Sequence, residues 1–128
     1  YNNDVLQAYF NNCIIYGDQN IELLIEQLDN SSLDYKFNNC LLKFSDVNNN
    51  FNTPIYNFED GLHFENLILN QDPDFFSPYD NNMIIGVNSS AINQGSHVFS
   101  KLVPYDILNT DRTSNPDLGA YQHSIQND

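Results

Sequence analysis

Apolar runs in this chain are interrupted by polar residues at a fixed interval. Phe10-Asn11-Asn12-Cys13-Ile14-Ile15 returns as Phe37-Asn38-Asn39-Cys40-Leu41-Leu42, and again as Phe64-Glu65-Asn66-Leu67-Ile68-Leu69, 27 residues apart each time. Within the first copy, Val5 to Phe10 and Cys13 to Tyr16 read as strands separated by a bend at Asn11-Asn12, with a turn at Gly17-Asp18-Gln19-Asn20. Ile21, Leu24, Ile25 and Leu28 sit at helical spacing, while Ile21, Leu23 and Ile25 alternate as in a strand, so both readings stay open there. Asn30-Ser31-Ser32 is a turn, and Leu33 to Phe37 leads into the second copy. Ser45 to Thr53 is polar and Asn-rich and reads as a loop, Pro54 to Phe58 as a short strand, and Glu59-Asp60-Gly61 as a turn into the third copy.

Self-similarity at a period of this size is the signature of a solenoid, in which each repeat covers the apolar face of its neighbour. Stacked parallel strands would bring like onto like at a spacing of about 4.8 Å. Phe10, Phe37 and Phe64 would form one column, Asn12, Asn39 and Asn66 a second in which amides donate and accept along the axis, and Cys13, Cys40 and Leu67 a third. The expected fold is therefore all-β: a right-handed parallel β-helix of about three 27-residue coils over residues 1–70, closed by C-terminal strands and an irregular cap over 71–128. Leucine-rich repeats share the period range, but their frame places Asn after the apolar positions rather than before them.

Cys13 and Cys40 fall at the same repeat position and are expected to be vertical neighbours. Distance would permit a disulfide, whereas in-register side chains pointing the same way fit its torsion poorly, so small buried hydrophobes are the expectation. No Cys-x-x-Cys or accompanying His suggests a metal site.

The tail reads Asp72-Pro73-Asp74-Phe75, Met83-Ile84-Ile85, Asn88-Ser89-Ser90-Ala91-Ile92-Asn93-Gln94-Gly95, Asp111-Arg112 and Pro116-Asp117-Leu118-Gly119-Ala120-Tyr121. This order of blocks resembles the C-terminal region of bacterial right-handed β-helix proteins of the choice-of-anchor Q type. Ser90 stands where that family has Pro, Asn93 where it has Asp, Asn109 where it often has Gly, and Gln122 where it has Glu. The resemblance implies the fold and a secreted or surface-anchored life, on the bacterial outer membrane through a lipid anchor or outside the cell. It implies no single activity. Physically, Gly95 and Gly119 suit positive φ or close backbone approach. Arg112, near Asp106, Asp111 and Asp117 in sequence, suits a bidentate Arg–Asp clamp.

Composition narrows the partners. Seventeen acidic residues against four Lys plus Arg give a formal charge of −13, which argues against nucleic acid and anionic membranes, since both need clustered cations. No apolar run has the roughly 18 residues of a membrane span, and the start, Tyr1-Asn2-Asn3-Asp4, is no signal peptide. Because Tyr1 to Tyr9 runs straight into the first copy, the chain is expected to be the C-terminal part of a longer protein, with upstream coils as its first partner. Other surface proteins or carbohydrate are further candidates.

Catalytic chemistry finds little support. Lys36, Lys43, Lys101, Arg112, His63, His97 and His123 are scattered, and no two share a repeat position, so a lyase base and a carboxylate-neutralising group are not brought together by the repeat. Carboxylate pairs at glycosidase spacing would arise by chance in so acidic a chain. Asp72, Asp74 and Asp80 offer oxygen ligands for Ca²⁺ without the spacing of a known loop. Tyr16, Tyr35, Tyr56 and Tyr79 would suit a sugar-stacking face but lack regular spacing, which favours packing. The expectation is a non-catalytic segment used for binding or assembly, with no cofactor. The rival is the tail of a polysaccharide lyase or glycoside hydrolase whose catalytic residues lie upstream.

Overall fold

The computed structural model describes residues 5–27 and 32–124. Leu28 and most of the turn expected at Asn30-Ser31-Ser32 lie outside them. Strands β1 (Val5–Asn11), β3 (Ser32–Asn38) and β5 (Phe64–Glu65) form one parallel sheet in the order β1-β3-β5. Strands β2 (Ile14–Ile15), β4 (Leu41–Leu42) and β6 (Ile68–Leu69) form a second, in the order β2-β4-β6. An antiparallel pair, β7 (Phe75–Ser77) and β8 (Asn82–Ile85), makes the third sheet.

In both parallel sheets a residue pairs with the one 27 positions on: Phe10 with Phe37 and Phe37 with Phe64, Ile14 with Leu41 and Leu41 with Ile68. In-register pairing follows from the repeat, because it sets aromatic on aromatic and aliphatic on aliphatic. The Phe10 and Phe37 rings stack at 4.7 Å and the Phe37 and Phe64 rings at 5.6 Å. Between the sheets the chain bends at one residue, and that residue is Asn each time. Asn12, Asn39 and Asn66 have φ of 55°, 52° and 53°, the left-handed region that Asn enters more readily than other residues bearing a side chain.

The expected β-helix of three 27-residue coils is not formed. Among the described residues the strands make three separate short sheets, with neither a closed sheet nor a solenoid. The reason lies between the copies. Residues 16–27 and 43–63 add no third parallel ladder among the described residues; they supply only an isolated antiparallel bridge, Ile21 to Phe44, and a 3₁₀ turn over Pro54–Tyr56. Ile21 to Gln27 is irregular rather than helix or strand, held by the Ile25 N–H donating to the Tyr56 hydroxyl at 2.9 Å. The Pro54 to Phe58 stretch, expected as a strand, turns instead because Pro54 lacks a ladder donor and opens the 3₁₀ turn. Parallel pairing also wanes along the chain, from seven register pairs between β1 and β3 to two between β3 and β5.

Two apolar clusters result. One holds Tyr35, Phe37, Cys40 and Phe64 inside the first sheet, with Ile55 and Phe58 against them. The other joins Leu41 to Ile85, Ala91 and Leu118, so the tail packs on the outside of the β2-β4-β6 sheet. Phe44, Phe51, Tyr56 and Phe58 add a cluster of edge-on and tilted ring contacts under the 45–53 loop.

Candidate functional site

The two ends of the aromatic column differ. Phe64 is buried, with Phe58 edge-on against it at 4.9 Å. Phe10, at the other end, is 39% exposed and Tyr9 beside it 55%. Among the described residues no strand pairs with the outer side of β1 or of β2. A groove of about 550 Å³ runs along this edge, lined by Tyr9, Phe10, Cys13, Phe99, Val103 and Arg112 among others. Phe99 belongs to the short helix α1 (His97–Ser100), whose Ser96 caps it by accepting from the Val98 N–H at 3.2 Å. Leu102 and Val103, just beyond α1, are exposed at the rim.

Asn12 brings the tail to this edge. Its amide donates to the Ser96 carbonyl at 3.1 Å, its side-chain oxygen accepts from the Ser96 N–H at 2.7 Å, and its carbonyl accepts from the Gly119 N–H at 2.8 Å. Asn39 donates likewise to the Gln94 carbonyl at 3.0 Å. The amide column expected at Asn12, Asn39 and Asn66 is thus largely spent on the tail: only Asn66 to Asn39 remains, at 3.5 Å. A tighter amide contact falls one residue earlier, from Asn38 to Asn11 at 2.9 Å.

Arg112 is buried at the inner wall of the groove, and its expected carboxylate clamp is absent. One Nη donates to the carbonyls of Asp117 at 3.0 Å and Gly119 at 2.9 Å. The nearby carboxylates serve backbone donors instead. Asp106 accepts from the N–H groups of Leu108, Thr110 and Gln122, and Asp117 from those of Asn93 and His123, both at 2.7 Å. Orphan N–H groups of an irregular tail need acceptors, and a carboxylate offers several lone pairs. Gly119 has φ of +92°, and a Cβ there would lie 2.7 Å from the Ile14 side chain. A Cβ at Gly95 would meet the Pro116 carbonyl at 2.8 Å, the same oxygen that accepts the Gly95 N–H.

Cys13 and Cys40 are free thiols at equivalent positions of adjoining segments, where the Leu41 N–H donates to the Cys13 carbonyl at 2.9 Å. Cys40 is fully buried; Cys13 is half-buried and faces the groove, and Leu67, next in that column, is half-buried. The neighbouring Cys40 side chain lowers the Cys13 thiol to about 7 against the opposing effect of burial, and the Arg112 charge adds to the lowering. The Cys13 side chain, with burial, pushes Cys40 up.

The basic residues are engaged separately. His63 stacks on Tyr35 at 4.0 Å and meets its carbonyl at 2.8 Å, so it is half-buried against the aromatic cluster. His97 faces the Thr113 carbonyl, His123 that of Ile85, Lys43 that of Gly17, and Lys36 pairs with Glu65 at 3.3 Å. Lys101 is exposed. Tyr35 and Tyr56 are taken up by packing, whereas Tyr16 and Tyr79 line a second groove with Asp18, Asp72 and Asp74. Asp80 turns away to accept from Ser77, and no group of three His, Cys, Asp or Glu side chains suited to a metal ion occurs among the described residues. No described helix is long and apolar enough to cross a membrane.

Phe99, Leu102 and Val103, at i, i+3 and i+4, carry a helical spacing that is the one signal of this rim in the sequence. No family model, curated protein or solved structure matches the chain. The likeness of the tail to choice-of-anchor Q proteins therefore stays a likeness of motifs.

Proposed function

We propose that this chain is a non-catalytic binding or assembly segment of a secreted or cell-surface protein, working through the open edge of its two parallel sheets. The observation that carries the reading is the asymmetry of the aromatic column. Phe64 is covered, while Phe10 is 39% exposed and, among the described residues, the seven-residue strand β1 has no partner on its outer side, beside the apolar rim of Phe99, Leu102 and Val103. An unpaired strand edge with exposed aromatic residues is a template for a further strand, supplying backbone donors and acceptors together with an apolar seat. The occupant we assign is an extended segment preceding these residues in the same protein, placing an aromatic side chain on Phe10 as Phe10 lies on Phe37. The separate engagement of the three His side chains, Lys36, Lys43 and Arg112 supports a role without catalysis. A net charge of −13 supports partners other than nucleic acid.

The test is association of the chain when nothing precedes it. Light scattering across a concentration series should show self-association, and Tyr9→Lys with Phe10→Lys, which sets charge on the edge, should return it to monomer. A wild-type chain that stays monodisperse and melts cooperatively would overturn the reading, because its first strand would then be a sufficient cap.

A further inference from the structure

The two thiols stand in an arrangement that packing alone does not call for. Cys13 follows Asn12 and Cys40 follows Asn39, so both occupy the residue after the left-handed bend rather than a regular strand position. The Leu41 N–H donates to the Cys13 carbonyl at 2.9 Å, which holds the two segments at about one strand spacing, roughly 4.8 Å. That lies inside the Cα separation of about 4.4–6.8 Å that a disulfide spans. Both residues follow equivalent bends, so closing the bond requires one side chain to turn toward the other. The Cys13 sulfur is 3.3 Å from the Asn11 carbonyl, and that of Cys40 is 3.4 Å from those of Phe10 and Asn38.

Access is one-sided. Cys13 lines the groove of about 550 Å³, wide enough for a small oxidant, and Arg112, the one Arg of the chain, lines the same groove. Cys40 is fully buried behind it. A reachable thiol sharing its groove with a cation, with a second, buried thiol at the equivalent position of the adjoining segment, has the layout of an attacking and a resolving cysteine.

We propose that Cys13 and Cys40 form a peroxide-responsive thiol pair. The Cys13 thiolate sulfur attacks one oxygen of hydrogen peroxide. The O–O bond breaks, hydroxide leaves and takes up a proton as water, and Cys13 becomes a sulfenic acid. The Cys40 sulfur then attacks the Cys13 sulfur. The S–O bond breaks, the Cys40 proton leaves with the departing oxygen as a second water, and the disulfide forms. The two sulfurs together lose two electrons, which the peroxide gains. The pair does not depend on strand docking at the edge: a chain that fails to self-associate leaves it standing, and a chain that associates without this chemistry leaves the docking standing.

The experiment treats the purified, reduced chain with one equivalent of hydrogen peroxide and maps the products by mass spectrometry without reductant. Wild type should lose two hydrogens and yield a peptide linking Cys13 to Cys40 within one chain. Cys40→Ser should retain a sulfenic acid on Cys13, captured by dimedone. In Cys13→Ser, Cys40 should react at least about tenfold more slowly than Cys13 does in Cys40→Ser. Should either variant fail to fold, as judged by circular dichroism, the wild-type map decides alone. Sulfinic acid on Cys13 with Cys40 still reduced, equal rates at both thiols, or bridges only between chains would overturn the proposal.

Discussion

Asp117→Asn tests how the tail is held. Asp117 is 1% exposed, and its two carboxylate oxygens each accept a backbone N–H at 2.7 Å, one from Asn93 and one from His123. The carboxylate thereby ties three tail segments together, next to Leu118 in the outer cluster. An amide has one acceptor oxygen. Whichever way it turns, one N–H keeps a neutral bond while the other faces an NH₂ group. The loss is one charge-assisted bond, about 1.5–3 kcal/mol, plus a donor buried without an acceptor, about 1–3 kcal/mol more, for an expected total of about 3–5 kcal/mol. At roughly 3–5 °C per kcal/mol for a domain of this size, the melting temperature should fall by about 10–20 °C. The chain has no Trp, so urea unfolding is followed by far-ultraviolet circular dichroism and Tyr fluorescence. Asp18→Asn, on an exposed turn, serves as the comparison and should stay within about 0.5 kcal/mol of wild type. A loss below about 1 kcal/mol for Asp117→Asn, with the m-value unchanged, would refute the claim that this carboxylate carries the tail.

At the bend, Asn39→Gly and Asn39→Ala both remove the bond to the Gln94 carbonyl, but only Ala must hold φ near 52° with a Cβ, so Ala should cost about 1–2 kcal/mol more in the same urea assay; equal losses would mean the left-handed bend is not what selects Asn. With Cys13 lowered to about 7, its iodoacetamide rate should reach half its plateau near pH 7 and fall away below it, because the reactive thiolate is lost as pH drops through that value, while the urea-unfolded chain should show an inflection near the ordinary thiol value of about 8.5. An inflection at or above the ordinary value in the folded chain would remove the contributions assigned to Cys40 and Arg112.

The repeat by itself determined which residues pair. Placing Phe37 between Phe10 and Phe64, and Leu41 between Ile14 and Ile68, needs only that like side chains prefer to stack in register, a nearest-neighbour preference written into the period. The bend at Asn11-Asn12 was legible for a similar reason, since Asn tolerates the left-handed region locally. The rest depended on contacts that no local pattern encodes. Whether paired strands close into coils is decided by the segments between them, and Pro54, the Ile21–Phe44 bridge and the ring cluster around Phe44 turn that path away from a third ladder. The tail, whose Ser96 lies 84 residues from Asn12, takes the amides that the repeat alone would have assigned to a column. Asp106 and Asp117 were expected to hold Arg112, yet they serve backbone N–H groups whose need for acceptors arises only once the irregular tail has folded. A repeating side chain fixes its neighbour one period away. The donor that a lone pair finally meets is fixed by the route of the whole chain.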